Sequence, residues 1–183
     1  MEVKMSTQNV QIELCDATAL AQIAAIYNEY IELGNSTMEE ELHTAEHIQN
    51  WLNKFTDRER LYVLKEDGQV IGWGIIKRYS PREGYRYACE TAIYITQSKL
   101  RLGYGSRMKK FLIEAAKRLG YRHLVAKIFA VNTASIQYNL KLGYTIVGRQ
   151  NQIGFKNGQW MDVVIMQYLI KEDISKPSTK KLC

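Results

Sequence analysis

Proline is almost missing from this 183-residue chain: Pro81 and Pro177 are its only two, and neither an internal repeat nor a low-complexity stretch accompanies them. No Pro-rich linker therefore divides the chain, and the length suits one domain. Cysteines number three, Cys15, Cys89 and Cys183. An odd count at wide spacing excludes a disulfide scaffold and points to a reducing compartment, the cytoplasm. Long apolar runs are lacking too. Stretches such as Val163–Met166 fall far short of the roughly 18 residues a membrane-spanning helix needs. The opening Met1-Glu2-Val3-Lys4, which turns polar through Asn9, offers no apolar signal core.

A strong excess of one charge is also missing. Lys and Arg total 25 against 19 Asp and Glu, a net charge of +6, and the cations are scattered along the chain. That suits a small anionic ligand but excludes a dedicated nucleic-acid surface. What the chain does have is 46% hydrophobic residues, too many for disorder and enough for a domain that buries about 70% of its unfolded surface.

Periodicity gives the order of elements. Val10–Leu14 alternates as a strand. Asp16 is placed to cap a helix whose apolar residues recur at Leu20, Ile23, Ala24, Tyr27, Tyr30 and Ile31, until Gly34-Asn35-Ser36 breaks it. A second helix is expected from Thr44 to Phe55. LYVLKE and QVIGWGIIKR flank Asp67-Gly68, a strong hairpin signal. A loop with Pro81 and Gly84 leads to a strand near Ala88–Thr96, then a helix over Ser106–Leu119 stopped by Gly120. HLVAKIF reads as a strand, Thr133–Leu142 as a short helix and Tyr144–Val147 as a strand. Asn157-Gly158 then turns the chain into QWMDVVIMQYLI. The order β-α-α-β-β-β-α-β-α-β-β predicts an α+β fold: one mixed, mostly antiparallel sheet of about six or seven strands with about four helices on both faces. The domain is expected over residues 1–170, and the polar segment 171–183, ending in Cys183, as a flexible tail. Trp51, Trp73 and Trp160 are expected in the core.

Chemistry concentrates where Tyr94-Ile95 leads through LRLGYGS into a helix. Gly103 and Gly105, one residue apart, let the backbone turn so that several N–H groups face one anion at the positive end of the helix dipole. Lys99, Arg101 and Arg107 add charge nearby. This is neither the dinucleotide fingerprint, since Met108 takes the third glycine's place, nor a P-loop. Alone it is also compatible with a tight turn that binds nothing. His43-Thr44-Ala45-Glu46-His47 reads H-x-x-E-H, a zinc-protease pattern, but no second motif supplies a third ligand. A solvated helix face and no metal are expected there.

Beyond the loop comes AVNTASIQYNLKLGYTIVG. Together, the glycine loop and this segment resemble the GNAT family of N-acetyltransferases, which carries Q/R-x-x-G-x-G/A before its third helix and N-x-x-S-I…LGF/Y beyond. Three stretches resemble its phosphinothricin acetyltransferase branch: IYNEYI with MEEELHT, PREGYRYACETAIYI, and GFKNGQWMDVVIMQ. The match spans about Val10 to Ile170. The resemblance implies a single GNAT-type domain that moves the acetyl group of acetyl-CoA, as co-substrate, directly onto a primary amine of a small molecule. The expected acceptor is an amino acid or analogue of the methionine sulfone, methionine sulfoximine or phosphinothricin type.

By the same resemblance, Ile93, Tyr94 and Ile95 would lie along the pantetheine. The N–H groups of Arg101, Leu102, Gly103, Tyr104, Gly105 and Ser106 would hold the pyrophosphate, and Asn132 would face the cofactor. Glu90 matches the base that removes the amine proton, and its place four residues before Tyr94 on a strand puts both side chains on one face. Met38, Arg82, Tyr85 and Tyr94 match the acceptor pocket, with Arg82 gripping an anionic end. A homodimer is implied; no nucleic-acid or membrane partner is. Departures are Leu100 at the loop's leading Q/R position, Ala92 for a hydroxyl residue, Ser80 for a common Lys, Phe129 for a frequent Gly, and Asn139 where a general-acid Tyr is usual. The general acid is thus unassigned. A catalytically silent acyl-CoA-binding sensor and a peptide or protein N-acetyltransferase are the alternatives.

Overall fold

Alternating apolar residues build three antiparallel strands in the amino-terminal half: β1 (Val10–Leu14), β2 (Arg60–Glu66) and β3 (Gln69–Arg78). The computed structural model describes residues 9–171, so the expected flexible tail lies, except for Lys171, outside the described residues. Asp67 (φ 48°) and Gly68 (φ 84°) both adopt the left-handed conformation that a two-residue hairpin with native twist requires. Between β1 and β2 lie α1 (Leu20–Leu33) and α2 (Ala45–Leu52). Asp16 does cap, but its carboxylate accepts from the Thr18 N–H (2.8 Å) at a 3-10 turn over Ala17–Ala19 that runs into α1. Gly34 (φ 70°) ends α1, donating to the carbonyls of Tyr30 and Ile31.

The remaining elements are β4 (Ala88–Ile95), α3 (Tyr104–Arg118), β5 (His123–Phe129), α4 (Thr133–Lys141), β6 (Thr145–Lys156) and β7 (Gln159–Leu169). The seven strands form one sheet in the order β1-β2-β3-β4-β5-β7-β6, in which β4 and β5 are parallel and all other neighbours antiparallel. The α+β mixed sheet with four helices is thus as expected. One core packs α1 and α2 on the sheet through Ile23, Ile48, Val63 and Trp73; the other packs α3 and α4 through Met108, Leu112, Leu124 and Met166. Helix α3 lies so close to β3 that a Cβ on Gly74 would stand 2.9 Å from Leu112 Cδ1 and Met108 Sδ.

Two expectations need correction. Strand β6 runs to Lys156 rather than ending at Val147, crossing two bulges, after Ile146 and after Gln150. Asp162 on β7 holds the second bulge, accepting from the Gln152 N–H (2.7 Å) and pairing with Arg149. Trp160 is not core. It is 62% exposed, because none of the described residues forms a layer over its side of the last hairpin, and its ring contact there is Phe155 opposite (5.1 Å between rings).

Candidate active site

The parallel pair is short. Ala88–Glu90 pair with His123–Val125, and beyond that point β4 and β5 part. The gap is a cleft of about 610 Å³, lined by Thr91–Ile95 from β4, Ala126–Phe129 from β5 and the first turns of α3 and α4. Even-numbered residues of β4 bond to β3, as the Thr96 N–H to Ile71 (2.9 Å) and Tyr79 N–H to Ala88 (3.1 Å) bonds show, so odd-numbered ones turn their backbone groups toward the cleft. At Ile95 both are taken: the Tyr30 hydroxyl donates to its carbonyl (2.6 Å) and accepts from its N–H (3.3 Å). Glu29 likewise accepts from Thr96 and from the Gln97 N–H. Ile93 remains open.

At the cleft's mouth, Arg101 (φ 63°) and Gly103 (φ 88°) are left-handed and swing the chain into α3. The N–H groups of Tyr104, Gly105 and Ser106 precede the first intrahelical bond, from Arg107 to the Gly103 carbonyl (3.1 Å), and no described residue accepts from them. Arg101, Gly103, Gly105 and Ser106 line the cleft, whereas Leu102 points to solvent. The Tyr104 phenol is buried on Glu66, which also takes Lys99; these two bonds hold the Glu66 carboxyl below the usual carboxylate range. Arg107 donates to the Val10 carbonyl. Two of the three cations expected beside the loop therefore brace the frame, and Arg101 is left to the cleft.

Glu90, Ala92 and Tyr94 face the α1–α2 side of the sheet. Tyr94 stacks on Trp73 (4.5 Å) and meets Tyr27 and Tyr30 edge-on (5.0 Å each). Burial pushes its phenol well above the ordinary value, so it stays neutral. Glu90, the last residue of β4 still paired with β5, lies just short of the cleft and is paired with Lys127 of β5 at 2.7 Å. Met38 lies over Gly154 of β6, where a Cβ would come within 2.5 Å of its Cε. Arg82 precedes the turn Glu83–Tyr85, and exposed Tyr85 meets Tyr79 (5.5 Å). Met38, Arg82, Tyr85 and Glu90 do not line the cleft, whose β4 wall begins at Thr91; Tyr94 does.

On the far wall, Asn132 caps α4, accepting from the Ser135 N–H (3.0 Å) and donating to Ser36 (3.3 Å). The Tyr138 hydroxyl donates to the Gly105 carbonyl (2.7 Å), joining α4 to the glycine loop. Asn139 is buried, its Nδ2 donates to the Ser135 carbonyl (2.8 Å), and its Oδ1 has no partner among the described residues. At the floor, Lys109 of α3 is 2% exposed and donates to Thr91 Oγ1 (2.9 Å), with its ammonium 4.7 Å from the Tyr144 ring centre. Sequence reasoning did not single out Lys109 or Lys127, and it marked Tyr30 only as an apolar position of α1. For Lys109 there was a signal: it stands three and four residues before Leu112 and Ile113, within the apolar stripe of α3. The H-x-x-E-H segment serves otherwise. His47 Nδ1 accepts from the Thr44 N–H (3.0 Å) in a capping box, and no cluster of three metal-ligating side chains occurs among the described residues.

A sheet parted beside an unpaired helix N-terminus is the hallmark of one class of enzyme, and residues 12–165 match the acetyltransferase (GNAT) domain family. The chain belongs to that family. Its relatives include phosphinothricin N-acetyltransferase of Streptomyces viridochromogenes, 30% identical over 165 residues, covering 89% of this chain and 90% of that one. L-methionine sulfoximine/L-methionine sulfone acetyltransferase of Salmonella typhimurium is 30% identical over 172 residues, covering 88% and 95%. Among solved structures, a phosphinothricin acetyltransferase from Sinorhizobium meliloti in complex with acetyl-CoA aligns with a TM-score of 0.86 at 26% identity, covering 93% and 94%.

Proposed function

We propose that this protein transfers the acetyl group of acetyl-CoA to the primary amine of a small amino acid or amino-acid analogue, with Glu90 as general base. The carrying observation is the parting of β4 from β5 just beyond Glu90, into a cleft that ends on the unpaired N–H groups of α3. Those groups and Arg101 suit a pyrophosphate, and the open backbone of Ile93 suits an amide-bearing chain laid along β4. An ammonium acceptor is drawn to Glu90, which takes its proton so that the nitrogen lone pair can attack. Arg82, Tyr85 and Met38, which stand outside the cleft, supply the acceptor contacts, Arg82 its hold on an anionic end. Free thiols at Cys15 and Cys89 suit the cytoplasm. Apolar Ile153, Phe155 and Trp160, all exposed, are covered by a second copy, so light scattering should read twice 21.2 kDa.

The test is thiol release from acetyl-CoA across free amino acids, methionine sulfone, methionine sulfoximine, phosphinothricin, polyamines and short peptides. Turnover with one amino-acid class is expected, and Glu90→Gln should lower kcat by about 10²–10⁴-fold with acetyl-CoA affinity unchanged. Binding without release for any acceptor overturns the reading in favour of a sensor. Release with peptides alone moves it to a peptide acetyltransferase.

A further inference from the structure

Four cations border the cleft: Lys99, Arg101, Lys109 and Lys127. Lys99 is bound to Glu66 and Lys127 to Glu90, while Arg101 lies exposed at the mouth. Lys109 differs from all three. It is 2% exposed at the floor, where β4 and β5 separate, and among the described residues its polar contacts are one hydroxyl and one aromatic face, with no carboxylate. An ammonium has three protons to donate, and here one acceptor oxygen is within reach. A buried charge so sparsely hydrogen-bonded is costly to stability.

We propose that the Lys109 ammonium is the general acid of the transfer, delivering a proton to the coenzyme A sulfur as the thioester breaks. This rests on the acetyltransferase reading above. Glu90 takes one proton from the acceptor ammonium, and the freed lone pair forms the C–N bond; the C–S bond breaks with its electron pair on sulfur, and the Lys109 proton moves to that sulfur, giving coenzyme A thiol and an uncharged Lys109. The second proton on the new C–N nitrogen leaves to give the neutral amide and recharges Lys109 through solvent, while Glu90 passes its proton to solvent as the one net proton released. The other cleft groups are unsuited. Asn139 has no titratable proton and its Nδ2 is engaged with Ser135. The Tyr138 hydroxyl is engaged with Gly105, and the Tyr144 hydroxyl with Thr91 (3.3 Å); burial holds both phenols above their ordinary value.

Lys109 is also tuned for the work. Burial lowers it from 10.5 to about 7, and on β4 the Cys89 thiol and, from the opposite face of the sheet, Glu90 pull the other way. From the segment between α4 and β6 it meets only the neutral Tyr144. An acid near the working pH is the efficient one.

The test joins kinetics to a readout that needs no turnover. In Lys109→Met, kcat should fall at least 10²-fold with acetyl-CoA Kd changed less than threefold, and the alkaline limb of the kcat profile should vanish. Independently, ultraviolet absorbance of the thiolate of bound coenzyme A should appear at least one pH unit lower in the wild type than in Lys109→Met, because the ammonium favours the thiolate. Lys109→Gln repeats both measurements should the Met variant fold poorly. On the wild type alone, the lysine ¹⁵Nζ resonance of Lys109 should titrate at higher pH with coenzyme A bound than without. Unchanged kcat together with unshifted thiolate and ¹⁵N midpoints overturns the acid role while leaving the acetyltransferase intact. A wild type that binds coenzyme A but transfers to no acceptor overturns the parent reading, and the acid role with it.

Discussion

Lys109 and Lys156 are both fully buried, yet one region of the molecule satisfies its lysine and the other does not. Lys156, at the end of β6, donates to the carbonyls of Thr37 (2.9 Å), Ile31 (3.3 Å) and Glu39, so each of its three protons has an acceptor. It pins the chain leaving α1 onto the last hairpin. Lys109 has Thr91 and a ring face. Desolvation lowers both ammonium groups, Lys109 to about 7. Burial alone, then, does not make a lysine reactive; the count of acceptors around the charge decides whether it is held or can be given up.

The comparison breaks most directly at Lys156. Lys156→Met removes three hydrogen bonds, to the carbonyls of Ile31 (which keeps Gly34), buried Thr37 and Glu39, and should cost about 3 kcal/mol, lowering Tm by roughly 6–12 °C in a thermal melt. A loss under about 1 kcal/mol would abolish the contrast. Lys109→Met should move the other way, since an under-satisfied buried charge is removed: a gain of about 1–2 kcal/mol in urea unfolding at pH 6. The sign with pH follows from protons bound. The folded wild type holds fewer protons than the unfolded chain between about 7 and the ordinary lysine value, so its stability rises across that window. The advantage of the Met variant should therefore shrink by pH 9, and a constant gain would show that Lys109 does not titrate there. Asn139→Leu should have the smallest effect, within about 1 kcal/mol of wild type. It removes one hydrogen bond to Ser135 but also an orphaned oxygen.

How much of this was legible from residues alone depended on the range of the forces. Turns set by left-handed residues, at Gly34, Asp67-Gly68 and Asn157-Gly158, were readable because the conformation is local. The shared face of Glu90 and Tyr94 followed from the two-residue period of a strand, and the loop from its glycine spacing. The length of β6 was not readable. Arg149 to Gln152 is polar and bulged, and is held by Asp162 on the neighbouring strand. Trp160 misled because hydrophobicity says nothing of whether a layer exists to bury it. The Tyr30 clamp joins residues 65 apart in sequence, and the Lys127–Glu90 pair forms only once β4 and β5 are neighbours. The site's backbone geometry was thus legible in part, and its cation pairing was not.

The Tyr30 clamp has a meaning for life in a crowded solution. A sheet opened in its middle bares two inner edges, and bare edges are templates onto which strands of other molecules add. By taking both backbone groups of Ile95, Tyr30 cuts the open stretch of β4 down to the neighbourhood of Ile93. A ligand chain one amide wide can still lie there. A strand from a neighbouring protein, which needs several consecutive pairings to hold, finds no edge long enough to copy.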